Sequence, residues 1–176
     1  MRPRITPIAV PSASAIGKQL QGADFFDAYE MPLEHGGRSA LEIYLDVIRK
    51  TPGWVDFLMA SRNRIVLLFG LKNLGHLGEV TLTKEASAYK IGDRIGIFSL
   101  LSASDDEVIL GDSDKHLDVK VSICKLTHGA QDFVAVSTVV HIHNLLGRVY
   151  MFFVVPFHKL IVPATLARVC CPANSL

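Results

Sequence analysis

The sequence predicts an α+β fold, and three observations carry that prediction. A helix-capping signature at residues 39–42 opens a stretch whose apolar residues recur at helical spacing. From residue 94 the apolar period falls to two and holds through several segments joined by short polar turns. After Asn144 the pattern becomes helical again. The chain has 176 residues and a mass of 19.3 kDa, the size of one domain. That domain is expected over residues 21–172, behind a flexible arm at 1–20.

The arm carries Arg2 and Arg4 and a Ser12-Ala13-Ser14-Ala15 stretch, like a secretory signal. Pro7 and Pro11 break its apolar run, which is too short for a signal core. Residues 23–33 read as a first strand, and Gly36-Gly37 as a turn. Ser39-Ala40-Leu41-Glu42 is a capping box, and Leu41, Tyr44, Leu45 and Ile48 lie on one face of the helix behind it. Thr51-Pro52 separates this helix from a second, with Trp54, Phe57, Leu58, Ile65, Leu68 and Phe69 on one side and Gly70 as its cap. Residues 79–83 suggest a short strand and 91–93 a turn. Strands around 95–98, 107–111, 117–123 and 133–142 then form an antiparallel meander. Asn144 caps a long final helix, whose inward stripe is read as Leu146, Val149, Tyr150, Phe153, Phe157, Leu160, Ile161 and Ala164. Pro156 and Pro163 are expected to kink or break it.

Composition narrows the classes. Apolar residues make up 49% and charged residues 20%, which excludes a disordered chain. Eighteen basic residues against seventeen acidic ones leave no net field to recruit nucleic acid. Three cysteines without CxxC spacing read as free thiols, so a reducing cytoplasm is the expected location. Residues 145–171 are strongly apolar, but their longest charge-free stretch is 149–157, short of the roughly 20 residues a span requires. No membrane span is expected.

The element order, a strand, two helices, a curved meander and a long last helix, resembles the helix-grip fold of the START and birch-allergen (SRPBCC) superfamily. Local wording is closer to one family. Asp24-Phe25-Phe26-Asp27-Ala28-Tyr29, Pro52-Gly53-Trp54, Arg62-Asn63, Phe69-Gly70-Leu71-Lys72, Gly92-Asp93-Arg94, Lys115-His116-Leu117-Asp118 and His141-Ile142-His143-Asn144 are similar to a bacterial domain-of-unknown-function family. Its members stand alone or are appended to short-chain-dehydrogenase-like proteins. The resemblance covers most of residues 20–170 and implies a fold rather than an activity.

Candidate chemistry is sparse. No GxGxxG, P-loop, GxSxG or HExxH spacing occurs. His141 and His143 are two apart on a strand, and a hairpin near Gly129 sets 116–118 opposite 140–142. His116, Asp118, His141 and His143 thus form a candidate divalent-metal patch, a dimerisation face, or simply a solvated outer face. Arg62 suits a ligand carboxylate or an ordinary surface ion pair.

The leading expectation is a non-enzymatic module for a small hydrophobic or amphipathic ligand, without a required cofactor. Val119, Val121, Val136 and Thr138 supply a sheet wall, Phe153 and Phe157 a helix wall, and Tyr150 or Arg62 the polar end. Trp54 and Phe98 complete the aromatic lining. The alternative is a cyclase- or hydratase-like enzyme with a cavity histidine, although strand parity turns His141 and His143 away from that cavity. A homodimer is the third reading.

Overall fold

In the computed structural model, which describes residues 4–51, 53–55 and 84–169, the period-two segments form a seven-stranded antiparallel sheet. The strands are β1 (Thr6–Ile8), β2 (Phe25–Pro32), β3 (Arg94–Ile95), β4 (Phe98–Ala103), β5 (Glu107–Ser113), β6 (Leu117–His128) and β7 (Gln131–Ile142). Their order is β1-β2-β7-β6-β5-β4-β3, so the meander is extended by an N-terminal pair that joins it beside β7. Gly129 closes the β6–β7 hairpin at φ 64°, a left-handed conformation that glycine adopts without steric cost. Helix α1 (Ala40–Arg49) packs on one face, and helix α2 (Leu145–Val169) ends the described chain. The architecture is α+β, in a helix-grip-like arrangement. Residues 53–55 begin the expected second helix, whose remainder lies outside the described residues along with the strand expected at 79–83.

The cap of α1 has the geometry its sequence implies. Ser39 Oγ accepts the Glu42 amide at 3.3 Å, and Glu42 Oε2 accepts the Ser39 amide at 2.7 Å. Those bonds from Ser39 hold the Glu42 carboxyl below its ordinary pKa, with the backbone bond the larger cause. A lowered folded value means that the stabilisation is complete above the ordinary carboxyl range and disappears as pH falls through the lowered value. Ser39→Ala is therefore expected to cost about 1 kcal/mol in urea unfolding at neutral pH. Glu42→Gln should destabilise at neutral pH and become silent in acid. An acid-insensitive difference would contradict the capping role.

Antiparallel register sorts the sheet into two faces. Tyr29, Val136, Ile123 and Val108 form one inner row, and Asp27, Thr138, Val121 and Leu110 the next. Against the first row, α1 buries Ile43, Tyr44, Leu45 and Ile48 in the main core, joined by Leu166 and Val169 from the end of α2.

The outer face has its own smaller core, and here the expected flexible arm is corrected. β1 pairs with β2, and the chain beyond it buries Val10 and Ile16 against Ala28, Ile109 and Val139. Pro7 is tolerated because β1 is an edge strand, where a missing N–H costs no interior ladder bond. Glu107 fastens the segment, accepting the Ala15 amide at 2.6 Å, the Ile16 amide at 3.2 Å and the Ser122 hydroxyl at 2.7 Å.

Two readings of α2 are narrowed or corrected. Pro156 and Pro163 do not break the helix, which is continuous through both. Each proline removes one i−4 bond, freeing the carbonyls of Phe152 and Lys159. Both residues lie on the exposed side of the helix. The buried stripe is Gly147, Met151, Thr165, Leu166 and Val169, more than a third of a turn from the predicted one. A helix that is apolar all round has no polar face to reveal its rotation. Close packing fixes the rotation instead, since a Cβ on Gly147 would lie 2.4 Å from the His116 carbonyl oxygen and 2.9 Å from Ile142.

Cys124 is buried on β6, and its thiol is pushed up to about 11 by burial first, then by the charges of Glu107 and Asp106. Little thiolate forms at neutral pH. Native protein should resist iodoacetamide at Cys124 at pH 8, and urea-unfolded protein should react fully. Peptide mapping that finds rapid native alkylation there would refute this assignment.

Candidate functional site

The inner face of the sheet carries one ionisable pair shared with α2. Alternation along β2 points Phe25, Asp27 and Tyr29 towards the helix layer. On α2, Gly147, Met151, His158 and Thr165 recur at helical spacing, and this turns His158 to the same side. His158 Nε2 lies 3.1 Å from Asp27 Oδ1, with side-chain exposures of 19% and 16%. A carboxylate only accepts, so Nε2 carries the proton in this contact. The Phe25 ring meets the imidazole edge-on, with centroids 5.6 Å apart and planes at 89°.

The second oxygen, Asp27 Oδ2, is buried and has no hydrogen-bond partner among the described residues. An unsatisfied buried acceptor is costly, and among the described residues Asp27 Oδ2 is the carboxylate oxygen in a set of such atoms that also holds Tyr44 Oη, His116 Nε2, Ser137 Oγ and Thr165 Oγ1. Thr138 lies directly across from Asp27 on β7, followed by Val121 on β6. Burial, and secondarily the charge of Asp27, raises the Tyr29 phenol, which therefore stays protonated as a donor. The wall around the pair is apolar and half-buried at Phe25, Val119 and Val121. Chemically, the arrangement offers an oriented imidazole and a spare acceptor beside an apolar surface.

The expected wall residues fall in part where sequence placed them. Val119, Val121, Val136 and Thr138 share the inner face, and Phe98 packs at its edge beside the main core. Tyr150 is half-buried on α2, Trp54 is exposed, and Arg62 lies outside the described residues. Phe153 and Phe157 do not form a helix wall, being 62% and 49% exposed on the far side of α2.

The four expected metal ligands do not converge. Asp118 pairs across the sheet with His141, one residue away from the register expected, and its carboxylate meets His143 Nε2 at 3.2 Å. His141 Nε2 instead contacts the Gln21 carbonyl at 3.2 Å. His116 is buried, with Nδ1 3.1 Å from Asn144 Oδ1 and its carbonyl accepting the His143 amide at 2.8 Å. It braces the start of α2, where Asn144 Oδ1 also accepts the Gly147 amide at 3.1 Å. Among the described residues no group of three or more His, Cys, Asp or Glu side chains is placed to hold a metal.

Sequence reasoning missed Asp27 and His158. The available signals were a carboxylate at inward parity between two aromatic residues, and an imidazole inside an apolar helix.

The fold and this inner face define an α+β domain of helix-grip-like form with a polar pair set in an apolar wall. The chain belongs to a family of proteins of unknown function, DUF2867, whose model matches residues 19–165. No curated protein and no solved structure matches it.

Proposed function

We propose that this domain binds a small hydrophobic or amphipathic molecule between the inner face of the sheet and α2, in the manner of the START-like (SRPBCC) proteins it resembles. The observation that carries the reading is Asp27 Oδ2, a buried acceptor without a donor, beside an imidazole and half-buried Phe25, Val119 and Val121. The apolar body of the ligand lies on the valines, and its polar end meets the His158–Asp27 pair. Native mass spectrometry on protein purified without a histidine tag tests this. Wild type should carry an adduct of a few hundred daltons, and Val121→Phe should fold but lose it by filling the space. An adduct-free wild type that also fails to enhance the fluorescence of N-phenyl-1-naphthylamine would refute the reading.

The same pair favours a second reading, a cyclase- or hydratase-like enzyme, because a carboxylate-oriented imidazole is the arrangement of a general base. Comparing adducts of wild type and His158→Gln separates the two. A binding module carries one molecule in both proteins. An enzyme holds unconverted substrate in the variant.

A further inference from the structure

The outward face of α2 is apolar and exposed over four turns. Leu145 and Phe152 are each 76% exposed, Leu160 is 65% exposed, and Val149, Phe153 and Phe157 are exposed beside them. Single exposed apolar residues are ordinary in folded proteins, but a continuous strip with three phenylalanines marks a contact surface. By length and composition alone, the helix would suffice to cross a bilayer. Its other face, however, is held to the sheet through Gly147, Met151 and the His158–Asp27 pair. It is placed to lie on a surface.

Charge identifies the surface. Arg148, Lys159 and Arg168 are all exposed on α2, and no acidic residue follows Asp132 in the sequence. Among the described residues Arg148 approaches a carboxylate only at 4.0 Å, from Asp24. Arg148 and Lys159 are 11 residues apart, about three turns, so both cations fall along one edge of the strip. A second copy of the chain would bring the same cations with no carboxylate on the helix to offset them. Anionic headgroups supply that charge, and the acyl boundary accepts the phenylalanines.

We propose that α2 docks the domain peripherally on an anionic lipid surface, lying in the interface with Phe152, Phe153 and Leu160 inserted. Flotation with vesicles of phosphatidylcholine and phosphatidylglycerol tests it on the full chain. Wild type should float with mixed vesicles, about tenfold less with phosphatidylcholine alone, and less at high salt. Phe152→Ser combined with Leu160→Ser should reduce flotation about tenfold while circular dichroism stays native, because both side chains are exposed. Lys159→Glu should weaken binding to anionic vesicles only. No flotation of folded wild type overturns the proposal, as does flotation unaffected by the double variant. A concentration-dependent dimer dissociated by Phe152→Ser, with no flotation, would assign the face to a second copy instead.

Discussion

Ile16→Ala should unfold this domain markedly more easily than wild type, although Ile16 lies in a stretch whose prolines suggest a loose arm. The side chain is fully buried between Val10, Ala28, Ile109 and Val139 on the outer face. Truncating such an isoleucine removes its transfer free energy and leaves a cavity, at a cost of about 2–5 kcal/mol. For a chain of this length that corresponds to a melting temperature roughly 10 °C lower. The site has little freedom to collapse, since Glu107 fixes the backbone leading into it through the Ala15 and Ile16 amides. Removing that carboxylate should give a smaller loss, about 1–3 kcal/mol, by orphaning those amides and the Ser122 hydroxyl. Urea unfolding of both variants decides the matter. A loss below about 0.5 kcal/mol for Ile16→Ala, the level of an ordinary surface change, would return the segment to a loose arm.

The sequence was legible where pattern and burial coincide. Period two located the meander because each strand has one buried face, and that parity also placed Val119, Val121, Val136 and Thr138 together. The α1 cap was legible because Ser39 and Glu42 satisfy each other locally. Legibility failed where long-range contacts decide. The arm is held by Glu107, about ninety residues away in the sequence, and no local pattern announces that bond. The rotation of α2 is set by Gly147 meeting the His116 carbonyl, while its own apolar residues point in every direction. That error of rotation hid the site, because it turned Phe153 and Phe157 inward in place of His158. The histidine face failed differently. Asp118 and His143 do meet, but His116 is drawn inside by Asn144, and the set is divided.

The Asp27–His158 pair should behave as a site retained at the expense of stability, and a double-mutant cycle reads this directly. His158→Leu alone leaves Asp27 with neither carboxylate oxygen hydrogen-bonded, since Oδ2 already has no partner. The expected loss is about 3 kcal/mol, where the range for a broken buried pair meets that for an orphaned polar group. Adding Asp27→Val to His158→Leu removes the stranded carboxylate and extends the apolar wall formed by Val121 and Leu110. The double variant should therefore recover to wild-type stability or exceed it, because hydrophobic replacement of a buried pair is commonly neutral or favourable. A pair kept for folding would give the opposite result, with the double variant at least as unstable as the worse single one. Recovery of stability together with loss of the bound adduct would place the pair in ligand recognition. Recovery with the adduct retained would show that the polar end of the ligand lies elsewhere on the inner face.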